Sequence, residues 1–305
     1  MRYIDKSHGR VNGLANTENF LHNHCRETNG RYVDVRYNKN DSGTKDTFCA
    51  ANNGQYRKTL TKLLLSEQQD LCCYCLRKLK MNQDEEYSDQ KITLEHIIPR
   101  SYTSADNVAY YQTAPGLSSN EVVIADVYES VGYSQQSNIH PHKVAYNNLL
   151  ASCNGTFPDV RNEQEGKQKI CCNIKRGTKE AYPVYFYSNV ANFVEYLPDG
   201  DIQAVIGTPE QSHVETLIRN TNLQCDSLKY IRYLWYILRK EDWNDIYPCN
   251  ASSNQRKYLL NKKLFDTGVN IELAIELFCK FSKEENWKTF MLYSAFYDIM
   301  RTKYP

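Results

Sequence analysis

Six of the eleven cysteines in this 305-residue chain stand in two short clusters, Cys72-Cys73-Tyr74-Cys75 and Cys153 with Cys171-Cys172. Two thiolates three positions apart, such as Cys72 and Cys75, can reach one tetrahedral ion at ~2.3 Å. Cys153 and Cys172 supply the other two ligands from a distant segment. The register is open by one residue at each cluster: Cys73 could replace Cys72 in a tighter geometry, and Cys171 could replace Cys172. The competing reading is a disulfide framework, which belongs to small secreted chains. This chain is large, and its first ten residues are polar with no apolar run of a signal peptide. The expectation is therefore a reduced, cytoplasmic protein with one structural Zn2+ on Cys72, Cys75, Cys153 and Cys172. Such a staple can pin a strand–loop–helix unit too small to hold itself together. Cys25, Cys49, Cys225, Cys249 and Cys279 are scattered and read as ordinary thiols.

Three further groups of residues stand beside these cysteines. Leu94-Glu95-His96-Ile97-Ile98-Pro99-Arg100-Ser101 places a carboxylate and an imidazole side by side. Segment 91–98 alternates Ile92 and Leu94 with polar neighbours and stops at Pro99, which predicts a short strand. Asn148 lies in Asn-Leu-Leu-Ala-Ser-Cys, just ahead of Cys153, and Asn173 directly follows Cys172. A Glu-His pair alone is common surface chemistry. Its company here, two amides each next to an expected zinc ligand, points to a site.

The order Cys-x-x-Cys, Glu-His-Ile-Ile-Pro-Arg-Ser, Asn-Leu-Leu-x-x-Cys, Cys-Asn-x-x-Arg-Gly resembles the HNH endonuclease superfamily. More narrowly, residues 60–180 resemble the HNH nuclease subunits of Septu and retron anti-phage systems (PtuB-like). The resemblance implies a zinc-stapled ββα-metal core, cleavage of DNA phosphodiesters, a role in antiviral defence and an ABC-type ATPase as partner. The residues themselves suit such chemistry. His96, with an ordinary pKa of ~6.5, can take a proton from water. Asn148 can accept a hydrogen bond from the second imidazole nitrogen and fix the ring. Glu95 and Asn173 offer oxygen ligands to a catalytic Mg2+ (or Mn2+) acting as Lewis acid. Lys175 and Arg176 are placed for phosphate contacts. These groups address phosphate and water only, so RNA is not excluded as substrate. Two departures stand out. Asn173 replaces the closing His, giving an HNN variant, and Glu95 stands where many relatives have Asp. The insert at 101–142 also stretches the motif, and His140 or His142 could reach the site. A zinc-stapled docking module without cleavage is the alternative.

The fold class expected is α+β, with mainly helical regions on either side of the core. The organisation read from the sequence is an N-terminal region 1–59, the nuclease domain 60–180 with its insert, a β-hairpin extension 181–208 and a helical region 209–305. Leu60, Leu63, Leu64 and Leu71 recur at helical spacing, and 122–128 could be strand or helix. Segment 185–206 reads as two strands joined at Pro198-Asp199-Gly200. Leu228, Ile231, Leu234, Trp235 and Leu238 form one apolar stripe, and Ile271, Ala274, Ile275, Leu277 and Phe278 another. The aromatic residues of 209–305, among them Tyr230, Tyr233, Trp235, Tyr236, Trp287, Phe290, Tyr293 and Phe296, suit a core or a partner interface. Net charge is +1, so a nucleic-acid surface would have to be local. The most basic window, 161–179, is the candidate. No stretch approaches the ~18 apolar residues of a membrane span.

Overall fold

The computed structural model describes residues 1–29, 31–37, 47–79, 92–104, 108–118, 120–133, 138–157, 170–246, 248, 250–266 and 289–305. The stripe at 271–278, Trp287, Cys249, Cys279 and residues 161–169 of the basic window lie outside the described residues.

Two helices build the first wall. α1 (Arg10–His24) buries Gly13, Thr17, Phe20 and Leu21, and α2 (Ala51–Glu67) buries Leu60, Thr61, Leu64 and Leu65, each at the spacing that lines up one helical face. Asn52, Asn53 and Gly54 are left-handed, so the regular part of α2 begins after them, as the leucine spacing predicts. Gly13 lets α1 approach the chain closely: a Cβ there would stand 2.2 Å from the Tyr146 ring.

Among the described residues, four two-stranded sheets follow. β1 (Arg26–Thr28) pairs antiparallel with β2 (Arg31–Val33). β3 (Ile92–His96) pairs antiparallel with β6 (Leu149–Cys153), Ile92 opposite Cys153 and His96 opposite Leu149. Every residue of β6 is buried, and both α2 and the short α5 (Cys172–Arg176) pack on it.

The insert is folded rather than a plain loop. It contains α3 (Ala109–Gln112), β4 (Val122–Val123), α4 (Ala125–Val131) and β5 (His140–Pro141), with β4 and β5 parallel. Segment 122–128 is thus strand for two residues and then helix. Tyr111, Leu117 and Val122 are fully buried, so the insert contributes to the core.

The expected hairpin is shorter than its sequence suggests. Tight 3-10 turns occupy Val184–Phe186 and Val190–Asn192, leaving β7 (Val194–Tyr196) and β8 (Ile202–Ala204). Val184, Tyr185 and Phe186 are all buried in succession, which a two-faced strand with one wet side would not do. Gly200 makes the turn at φ +88, and a Cβ on it would meet the Lys229 carbonyl at 2.0 Å.

The C-terminal helices are α6 (Gln211–Thr221), α7 (Asp226–Leu238), α8 (Trp243–Ile246), α9 (Ser253–Asp266) and α10 (Ala295–Lys303). The α7 stripe of Leu228, Ile231, Leu234, Trp235 and Leu238 is buried as a set. Trp235 stacks on Phe290 at 4.4 Å, and α10 packs along α7. Trp235, Phe290, Tyr293 and Phe296 are fully buried within the chain. Among the described aromatics, these four are core and are not available to a partner. No helix among the described residues is long and apolar enough to cross a membrane.

Candidate metal centre and the adjoining polar site

The loop after α2 brings Cys72 and Cys75 under the exit of β6, where Cys153 ends the strand and Cys172 opens α5. The four sulfurs lie within 4.8 Å of one another, all buried. Cys72 Sγ is 3.9 Å from Cys172 Sγ, and Cys75 Sγ is 3.7 Å from Cys153 Sγ. Thiolates at ~2.3 Å from a tetrahedral ion stand ~3.8 Å apart, so the donor set fits a metal such as zinc. This is the register Cys72, Cys75, Cys153, Cys172. Cys73 is buried but outside the quartet. Cys171, the alternative to Cys172, stays outside the quartet with its Sγ 3.3 Å from Cys172 Sγ, and Cys225, read as an ordinary thiol, is buried beside Cys171.

A cationic neighbour balances the sulfurs. Arg77, two residues past Cys75, is buried and donates to the Tyr293 hydroxyl at 3.1 Å and the Thr156 carbonyl at 2.8 Å. Tyr293 Oη in turn is 3.8 Å from Cys75 Sγ. A tetrathiolate around a divalent ion carries net negative charge, and a buried guanidinium offsets it. The position of Arg77 just after the knuckle was the available signal, whereas nothing in the sequence ties Tyr293 to Cys75.

Strand alternation splits the polar residues between two faces. Thr93 and Glu95 share one face of β3, while Leu94 and His96 share the other. α5 lies against the first: Asn173 Nδ2 donates to Thr93 Oγ1 at 2.8 Å, and Arg176 pairs with Glu95. His96 points the other way. Its ring meets the Tyr37 ring edge-on at 4.5 Å, with the Arg100 guanidinium 4.9 Å from the centre of that same tyrosine ring. The structure therefore brings Glu95 and Asn173 toward one helix and places His96 elsewhere.

Glu95 is 2% exposed and Arg176 is 1% exposed. The guanidinium also donates to the His96 and Ile97 carbonyls, to the Lys179 carbonyl and to Tyr74 Oη, and Tyr74 Oη donates to Glu95 at 2.9 Å. Burial pushes the Glu95 carboxyl upward, opposed by the charge and hydrogen bond of Arg176. Two expectations change here. Arg176 is not a phosphate contact: its side chain is spent on a buried carboxylate and three carbonyls. Glu95, neutralised by that guanidinium, does not fit the part of a free carboxylate ligand for Mg2+, because a divalent cation there would stand beside a fixed positive charge. Lys175 is half-buried and remains open to an anion.

Asn148 also differs from expectation. Its Oδ1 accepts from the Ile98 backbone N–H at 2.7 Å, and its Nδ2 donates to the Ile98 carbonyl at 3.0 Å and the His142 carbonyl at 2.8 Å. Its amide is consumed by backbone and does not orient the His96 ring. That task falls to the Lys143 carbonyl, 3.0 Å from His96 Nε2. A carbonyl can only accept, so Nε2 carries the proton and Nδ1 keeps its lone pair. Burial holds His96 well below its ordinary value, with Arg100 and His142 adding to the effect. His140 and His142 are occupied as well. His140 Nε2 pairs with Glu18 at 2.7 Å, and His142 Nδ1 accepts from the Ala125 N–H at 3.0 Å. Compared with known proteins, the chain matches no family model and no curated protein.

Proposed function

We propose that this chain is a nuclease of the HNH type, an HNN variant, hydrolysing nucleic-acid phosphodiesters with His96 as the proton acceptor. The observation that carries the reading is the closure of an antiparallel strand pair, β3–β6, by a helix whose first residue joins three other cysteines in one metal-sized cluster. That arrangement puts Glu95-His96 at the end of one strand and Asn173 in the first turn of the helix, as a ββα-metal core would. His96 supports it chemically: it is uncharged near neutrality, oriented through Nε2, and keeps an unprotonated lone pair on Nδ1.

A second reading is favoured by one specific observation. Arg176 neutralises Glu95 inside the protein, which suits a zinc-stapled docking module that holds nucleic acid or protein without cutting. Labelled DNA and RNA incubated with the full chain in Mg2+ or Mn2+ separate the two. Cleavage that falls by ~10²–10⁴-fold in His96→Ala supports the nuclease, and the preferred polymer identifies the substrate. A folded, zinc-loaded wild type that cuts neither polymer establishes the docking module. On the nuclease reading an ABC-type ATPase remains the proposed partner, in antiviral defence, and co-purification tests it. Its contact surface must avoid Trp235, Phe290, Tyr293 and Phe296, which the core already uses.

A further inference from the structure

We propose that the metal centre has five usable thiols, and that Cys171 can take the place of Cys172 on the ion without loss of the metal. The inference rests on the quartet holding a metal.

Consecutive residues of an extended chain point their side chains to opposite sides. Cys171 is extended, but Cys172 follows at φ 54, a left-handed backbone that residues with a Cβ rarely adopt. The turn swings both thiols into the same cavity, which is why their sulfurs are only 3.3 Å apart. Cys171 is fully buried, its sulfur against that of the one ligand it would replace. Its backbone is fixed for this position. The Cys171 N–H donates to the Gly155 carbonyl at 3.0 Å, and Gly155 has no Cβ where one would stand 1.8 Å from the Cys171 carbonyl oxygen. In the exchange the bond from the metal to Cys172 breaks and one to Cys171 forms. The proton released by Cys171 ends on Cys172, so neither net charge nor oxidation state changes.

The test uses the full chain as wild type, Cys75→Ser, Cys171→Ser, Cys172→Ser and the double Cys171→Ser/Cys172→Ser. Zinc per chain is measured by metal analysis, and the thiolate count by the absorption of the Co2+-substituted proteins. Both single variants at 171 and 172 are expected to keep zinc and the four-thiolate cobalt spectrum. The double variant, left with three thiols, is expected to bind zinc at least about tenfold more weakly, and so is Cys75→Ser, because Cys171 takes the place of Cys172 and does not join it on the ion. Cys172→Ser losing zinc as fully as Cys75→Ser overturns the proposal, as does a double variant that keeps it. Exchange requires equal tolerance at the two positions, so a Cys172→Ser that fails to fold beside a folded Cys171→Ser also overturns it. A wild type without zinc overturns the quartet itself, and that result is read independently of the variants.

Discussion

Arg176 was expected at the surface and is instead the most heavily used side chain in the site. With its partner Glu95 at the same depth, removing the guanidinium strands a buried carboxylate. Arg176→Met is expected to lose about 3–5 kcal/mol of folding stability, measured by urea unfolding. Arg176→Met with Glu95→Gln should recover much of that loss, because the stranded charge is gone. A double variant no more stable than the single would mean that the carbonyl contacts of Arg176, rather than the charge pair, hold the fold. His96 gives a pH signature of the same sign as a paired carboxylate, but in a higher pH window. Its folded pKa is depressed by burial, while the unfolded chain titrates near ~6.5. Its contribution is intact above that pH and is lost as pH falls below it, because only the unfolded chain then takes up the proton. Wild type should therefore lose about 1 kcal/mol more than His96→Gln between pH 7 and pH 5.5. Parallel curves would show that the ring is not buried neutral.

At the scale of elements, the turn Tyr146–Asn148, the strand β6 and the helix α5 work as one frame around Ile98. Asn148→Ala leaves the Ile98 N–H buried without its acceptor and should cost about 1–3 kcal/mol. The role read from the sequence, fixing the imidazole, would have made it a loss of activity. The structure replaces it with a loss of stability, and the Lys143 contact to His96 should survive, visible as an unchanged imidazole signal by NMR. Gly155→Ala is expected to be worse. Its φ of +77 disfavours any side chain by about 1–2 kcal/mol, and the new methyl would stand against the Cys171 carbonyl; thermal unfolding with zinc analysis measures both effects. The strand at 92–96, the leucine face of α2, the α7 stripe and the quartet of cysteines were all legible in the sequence. Each depends on local periodicity or on a spacing that chemistry restricts. The partners of Glu95, Asn148 and Arg176 were not legible. They are set by which way a strand end and a five-residue helix face one another, and no pattern in the residues records that angle. Cys225 was read as scattered for the same reason: its place beside Cys171 arises from the packing of α7, more than fifty positions away in the chain.

Over the whole molecule, the C-terminal helices belong to the metal centre as much as to themselves. The Lys78 N–H donates to the Leu292 carbonyl at 2.6 Å, Tyr293 bonds Arg77, and its hydroxyl faces Cys75. A chain ending near residue 208 would remove all three contacts. Such a truncation is expected to lose zinc or fail to fold, so it cannot separate a docking region from a nuclease region. Stripping the ion from the full chain with a chelator should be felt at the far end too, as loss of the near-ultraviolet circular dichroism of the Trp235–Phe290 stack. If that signal persists while zinc is fully removed, the two regions are less coupled than their contacts imply.

That contact between Tyr293 and the cysteine knuckle has a consequence for how the protein is made. Residues are added to a growing chain from the N-terminus onward, and the fourth thiol is available once Cys172 has emerged. The hydroxyl and the carbonyl that close over the knuckle arrive only more than a hundred residues later. Between those two moments the newly made cysteines are a metal trap with one side open, able to accept an ion and equally able to lose it or to take the wrong one. The completed C-terminus is the stopper.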